Sequence, residues 1–369
     1  MTATTRRQRR FSLPHLAPVF SLIEELIATE QLPGAVLILV AGGEVVLHRA
    51  FGWASLEPER RPMRPDTLFD LASLTKVVAT TTAVLLLLER GRLHLWEPVG
   101  RWLPVPGQAG REIRLWHLLT HTAGLPAWRD FYSHGWSPEE IRAQVYATPP
   151  AFRPGTRVLY SDLGFLWLQG VIEEVTGESL ADFVDQEIFT PLGMRHTRFC
   201  PGEGLRARAA ATEYDPVTGT FLCGVVHDEN ARALGGIAGH AGLFSTGSDL
   251  ARFVSQLLHP ERLGAEALLT SETIALMTRN HTAGLGEPRG LGWALFDPRG
   301  CSGGDLLSEA AFGHTGFTGT SIWIDPRRDL AVILLTNRVH LGRQRTAEVI
   351  ARLRPLVHNA VVTAFVRGS

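Results

Sequence analysis

Lysine is almost missing from this chain. Of 36 basic residues one is a lysine, Lys76, and all the others are arginine. Cysteine is scarce as well: Cys200, Cys223 and Cys301 are odd in number and scattered, which argues against a disulfide framework. Net charge is close to zero, with 36 basic against 37 acidic residues, so no nucleic-acid or membrane surface is expected. The one basic cluster, Arg6 to Arg10, reads as an N-terminal arm. After it, Pro14, His15 and Pro18 interrupt the apolar run, and Glu24 and Glu25 end it without a small-residue cleavage site. A secretory signal is therefore not expected, and the expectation is a cytoplasmic protein. The uncharged run from Val77 to Leu88 is too short to span a bilayer. Internal repeats and low-complexity stretches are also lacking.

What is present suits a globular enzyme-sized chain. The 369 residues, 45% hydrophobic and 20% charged, suffice for one large domain or two ordinary ones. Pro18 to Glu30 reads as an amphipathic first helix. AVLILVA (35–41) and EVVLHRAF (44–51), joined by Gly42 and Gly43, carry a hairpin signal. A helical and loop-rich middle follows, in which LGFLWLQGVIEEVTGESLADFVDQEIF reads as one helix. Strands return at LGWALF (291–296), AAFGHTG (310–316), TSIWID (320–325) and LAVILLTN (330–337), before a last helix from Arg343 to Phe365. Strands at both ends of a chain, with helices to cover them, imply an α+β fold: an antiparallel sheet flanked by helices. The expected division is a sheet domain from residues 1–70 and 281–369, with a mainly helical domain, 71–280, inserted. A cleft is expected at their junction.

The single lysine stands three residues after Ser73, at the start of a segment that reads as a buried helix closed by Gly91. Residues at i and i+3 share a helix face and touch. Ser73 would lie at the helix N-terminus, where unpaired N–H groups and the dipole favour an alkoxide. Arginine cannot accept a proton, whereas lysine can once buried. The competing reading makes Ser73 a helix cap. A capping box would place Glu or Gln at position 76, and a lysine there has the wrong sign for the dipole. Both readings stand on these residues alone.

Three further stretches belong with the pair. Ser73-x-x-Lys76, Tyr160-Ser161-Asp162 and His314-Thr315-Gly316 occur in that order at wide spacing, with LLTHTAGLP (118–126), AGLFSTGSDLARF (241–253) and the LLTN of the last strand. From about residue 19 to 365 the chain resembles the serine β-lactamase and penicillin-binding superfamily. The resemblance is to the branch of class C β-lactamases, D-alanyl-D-alanine carboxypeptidases and related esterases. It implies Ser73 as nucleophile of an acyl-enzyme, with Lys76 and Tyr160 exchanging its proton. It also implies an oxyanion hole formed by the N–H groups of Ser73 and Phe317, with His314, Thr315 and Gly316 lining the substrate edge. A small-molecule or peptide substrate is expected, without a cofactor.

Two residues depart from the superfamily pattern. Asp162 stands where an asparagine is usual; a carboxylate only accepts hydrogen bonds. Beside Lys76 it would favour the ammonium and shift the base role to Tyr160, or it would receive a substrate amino group. His314 stands where a lysine is usual, and a neutral histidine offers less fixed charge to a substrate carboxylate. GVVHDENARALGGIAGHAGLFST (224–246) resembles relatives linked to cell-wall recycling, among them muropeptide amidases. His227, Asp228, Glu229 and His240 would then stand near the cleft, or else serve as caps and loop ties. HLLTH (117–121) lacks the glutamate of a zinc-protease motif, so His117 reads as a packing or capping residue and no metal is expected. The first expectation is an amide or ester hydrolase acting on peptidoglycan-derived peptides. A carboxylesterase, a β-lactamase and a penicillin sensor without turnover are the alternatives.

Overall fold

The computed structural model describes residues 13–262 and 267–368; the basic arm at 6–10 lies outside them. Helix α1 (Ala17–Ala28) leads into strands β1 (Gly34–Ala41) and β2 (Glu44–Ser55). Gly42 and Gly43 turn between them at φ 63° and 77°, the left-handed pair that a tight hairpin requires. The two-residue strand β3 (Arg61–Pro62) closes that edge. From the other end of the chain come β4 (Ala294–Leu295), β5 (Phe312–Thr315), β6 (Ser321–Asp325) and β7 (Leu330–Thr336).

All seven join one sheet in the order β3-β2-β1-β7-β6-β5-β4, and every pairing is antiparallel. The central contact sets Ala35 opposite Thr336 and Ala41 opposite Leu330. Every residue of β1 and β7 is buried, because both sheet faces are covered. Strand periodicity divides them between two apolar layers. Ala35, Leu37, Leu39, Leu330, Val332 and Leu334 pack with α1 and the last helix. Val36, Ile38, Val40, Ala331, Ile333 and Leu335 face the larger helical layer. The fold is thus α+β, an antiparallel sheet between helices.

In that larger layer, a 3-10 turn (Ala72–Leu74) and a π-helical stretch (Lys76–Thr81) run into α2 (Thr82–Glu89). By length and composition the run from Ala72 to Glu89 would suit a membrane, yet 83% of it is buried in the fold as a core helix. Helix α3 (Asp162–Thr176) ends at Gly177, and Ser179 caps a new helix, Leu180–Val184. The long helix expected across these residues is therefore broken, since Gly177 adopts the left-handed cap at φ 77°. Helix α4 (Gly247–Leu258) packs on β1 and β7, with Gly247 admitting Ile38 where a Cβ would collide. The final helix, α5 (Ala347–Arg367), lies with α1 behind the sheet.

Candidate active site

Ser73 sits in a turn whose backbone is held tightly. Ala72, just before it, has φ 47°, a left-handed value unfavourable for a residue with a Cβ. Asp70 holds it there: one carboxylate oxygen accepts the Ala72 N–H at 2.8 Å and the other accepts the His227 N–H at 2.7 Å. Thr75 Oγ1 donates to Ala72 O from the far side of the turn. Burial is the chief influence on Asp70 and pushes its carboxyl up, against the opposing pull of those two amides.

One turn on, Lys76 is fully buried. Its Nζ donates to Ser73 Oγ at 3.0 Å and to His240 O at 3.1 Å, and it forms an ion pair with Asp162 at 2.6 Å. Burial acts to lower its pKa, but Asp162 and Tyr160 outweigh it and the ammonium is held above its ordinary value. Of the two roles expected for Asp162, the structure shows the pairing with Lys76.

Tyr160 and Asp162 are placed by the start of α3. Ser161 caps the helix by accepting from Gly164 N, and its own hydroxyl donates to Pro126 O. Its N–H donates to Nδ1 of His121 at 3.0 Å, while Asp162 N–H donates to Ala127 O. The LLTHTAGLP segment is thus the cradle of the Tyr-Ser-Asp motif. His121, at φ 56°, sets its ring 4.4 Å from that of Tyr160, tilted by 35°. Burial first, then the charges of Arg289 and Lys76, drive His121 well below its ordinary range. Lys76 Nζ lies 4.9 Å from the Tyr160 ring centre, and the Tyr160 hydroxyl has no hydrogen-bond partner among the described residues.

The His-Thr-Gly motif ends β5 and enters the turn to β6. Thr318 Oγ1 donates to Asp70 O at 2.8 Å, and Thr320 Oγ1 to Leu71 O at 3.1 Å. These two bonds stitch the turn to the Ser73 segment, and Gly316 fits because a Cβ would strike Thr320 and the Leu71 carbonyl. Among the described residues, the Phe317 N–H has no acceptor. His314 is buried, and its Nδ1 donates to Thr315 O, which leaves Nε2 as an acceptor without a partner among the described residues. Burial and the nearby charge of Arg289 push it well below the usual histidine range, so it stays neutral.

The four residues of the 224–246 stretch line the same place. His240 lends its carbonyl to Lys76 and bonds through Nε2 to Asp228 at 3.0 Å. Asp228 also caps the helix Glu229–Ala233, so both readings of it hold together. His227 joins Glu213 at 2.9 Å and stacks on Phe317, and Glu229 pairs with Arg343 at 2.7 Å. His117 is a cap: its Nδ1 accepts the Arg114 N–H. Asp70, His121 and Arg289 were not apparent from the sequence. Arg289 is buried with its guanidinium 5.5 Å from the Tyr160 ring centre, and Glu287 pairs with it.

The family model described as Beta-lactamase matches residues 19–354. An N-acetylmuramyl-L-alanine amidase of Bacillus subtilis (strain 168) is 34% identical, over 90% of this chain and 82% of its own. A putative D-alanyl-D-alanine carboxypeptidase of Escherichia coli (strain K12) is 30% identical, over 84% of this chain and 79% of its own. Among solved structures, EstCE1, a hydrolase with promiscuous acyltransferase activity, superposes with a TM-score of 0.75 at 25% identity. It covers 95% of this chain and 99% of its own.

Proposed function

This chain belongs to the beta-lactamase family, and on that premise we propose that it cleaves an amide bond in a peptidoglycan-derived peptide through an acyl-enzyme on Ser73. Its class is that of the superfamily's serine hydrolases, which act on small peptide or ester substrates. The observation that carries the mechanism is the buried Lys76 ammonium, 3.0 Å from Ser73 Oγ and 2.6 Å from Asp162. A lysine so paired serves as a donor, not as the base.

Ser73 Oγ attacks the scissile carbonyl carbon while its proton passes to the phenolate oxygen of Tyr160. Lys76 stays protonated and donates to the serine oxygen as charge gathers there. The tetrahedral oxyanion is received by the N–H groups of Ser73 and Phe317; each such donor typically contributes about 3 kcal/mol. On collapse the C–N bond breaks, Tyr160 gives its proton to the departing amine, and the acyl group remains on Ser73. Water, losing a proton to Tyr160, then attacks that ester; the C–Oγ bond breaks, the acid departs, and Tyr160 passes the proton to Ser73 Oγ, which restores both residues.

The amide reading draws support from the relatives, one named for an N-acetylmuramyl-L-alanine amidase and the other for a putative D-alanyl-D-alanine carboxypeptidase. A second reading, an esterase of small uncharged esters, is favoured by the neutral His314, which supplies no cation for a substrate carboxylate. Intact-mass measurement after fluorophosphonate or penicillin treatment, with Ser73→Ala as control, tests the nucleophile. An adduct is expected on the wild type alone, and its absence with both reagents sinks the assignment. Release of peptide from muramyl peptides, set beside nitrophenyl esters and nitrocefin, then separates amidase from esterase and lactamase. Turnover of esters without any muramyl-peptide cleavage would replace the first reading with the second.

A further inference from the structure

Among the described residues, Arg354 is a buried cation without a counter-ion. It lies on α5 behind the sheet, and among the described residues it forms no ion pair. Its Nη2 instead donates to two carbonyls, Gly316 O and Thr320 O, each at 2.8 Å, while its Nε has no partner. Burial, with the like charge of Arg338, draws the guanidinium down to about 9. A charge held away from water by carbonyls alone is costly, and a leucine or methionine would pack the position more cheaply.

What the guanidinium holds is the turn that carries Phe317. Gly316 and Thr320 are its closing pair: Gly316 N–H donates to the same Thr320 oxygen that Arg354 binds. A trans peptide is planar, with C=O and N–H on opposite edges. Fixing Gly316 O from the side of α5 therefore fixes the Phe317 N–H on the opposite edge. The turn meets the nucleophile segment through Thr318 and Thr320, whose hydroxyls reach Asp70 O and Leu71 O. A charged donor on the carbonyl also polarises the peptide, which makes its N–H a better donor in turn. The ring of Phe317 is braced separately, stacked on His227 at 5.6 Å with the Arg338 guanidinium 4.8 Å from its centre.

We propose that Arg354 is a positioning residue for the reaction: from behind the sheet it holds the Gly316–Phe317 peptide so that the Phe317 N–H meets the oxyanion formed at Ser73. The proposal rests on the reading of Ser73 and Phe317 as the oxyanion pair.

Arg354→Met keeps the volume and the helix while removing the donor, and Arg354→Lys returns a cation of shorter reach. Thermal unfolding shows that each variant folds; if the methionine variant does not, Arg354→Gln takes its place. Crystal structures of wild type and variant give the direction of the Gly316 carbonyl, and steady-state kinetics on a nitrophenyl ester give kcat and KM. The expected result is a rotated Gly316 carbonyl with kcat down ten- to a hundredfold, KM within threefold, and partial recovery in Arg354→Lys. A folded variant whose carbonyl is unmoved, or whose kcat stays within twofold of wild type, overturns the proposal. The carbonyl direction is read without turnover. A wild type that fluorophosphonate leaves unlabelled would thus sink the nucleophile assignment, while the clamp would still be judged by the carbonyl.

Discussion

At the scale of single residues, the one lysine is held by three groups at once, Ser73, His240 O and Asp162. Arginine would keep the charge, but its planar fork cannot aim one nitrogen at three partners in a space with no solvent. Lys76→Arg is expected to cut the rate of Ser73 labelling by about a thousandfold, as loss of a group acting in concert with the nucleophile does. Labelling at the wild-type rate would mean that charge alone is needed. Asp162→Asn gives a different signature. With the carboxylate gone, burial is expected to outweigh the remaining upward pull of Tyr160 and to depress the Lys76 pKa, and losing the main partner of a buried charge costs about 3 kcal/mol. The unfolded chain then binds the lysine proton more tightly than the folded one, so stability should rise as pH increases from 7 towards 10. In the wild type the raised Lys76 pKa works the other way: its contribution is full below the unfolded value and is lost only as pH climbs through the folded one. Urea unfolding of the variant at pH 7 and pH 9.5 distinguishes the two, and an equal or lower stability at the higher pH would refute the assignment. Ser73, Lys76 and Asp162 were legible because a helical spacing and an ordered set of motifs marked them. Asp70, His121, Arg289 and Arg354 were not, since their partners stand far away in sequence: His121 meets Ser161, and Arg354 meets Gly316.

At the scale of elements, what periodicity could mark was legible and what tertiary contact decides was not. β1 and β2 were readable from their apolar runs and the Gly-Gly turn, and β5 to β7 from theirs. LGWALF promised a strand of six residues, yet only Ala294 and Leu295 pair, because β5 offers partners only at Phe312 and Gly313. The π-helical stretch at Lys76–Thr81 left no pattern in the sequence, since its residues are buried on every side. The turn after β5 is where element and site coincide. Gly316 lies against Thr320 and the Leu71 carbonyl with no room for a methyl group. Gly316→Ala must push the turn away from Ser73, at a cost of about 1–3 kcal/mol typical of overpacking. Activity on a nitrophenyl ester should fall at least a hundredfold, as when one oxyanion donor is removed. Full activity in that variant would show that the turn does not approach the reacting carbonyl.

At the scale of the whole molecule, the sheet joins the first and last strands of the chain, as β1 lies directly beside β7. That closure buries histidines in both helical layers. Burial drives His358 to about 3, with Arg354 adding to the effect, and His117 to about 4. His121 and His314 are driven well below the ordinary value of 6.5 by the same chief cause, and His48, His281 and His340 move in the same direction. In the unfolded chain these rings take up protons near pH 6.5, whereas in the folded protein they do not. The unfolded state therefore binds more protons as pH falls from about 6.5 towards 4, and stability must decline over that window. Each fully buried ring contributes a slope of roughly 1.4 kcal/mol per pH unit, and partly exposed His117 less. Asp70, with its carboxyl pushed up, opposes the trend in part, while depressed Glu213, at about 2, adds to the loss below its unfolded value of 4.5. His358 is the cleanest probe, since among the described residues neither of its ring nitrogens has a partner and it is distant in sequence from every motif. His358→Leu keeps the apolar contact with Trp323 and removes one titrating group. Unfolding free energies from urea melts between pH 7.5 and 5 should show a variant slope shallower by about one proton, with activity at pH 7.5 retained. An unchanged slope would mean that the buried ring already carries its proton.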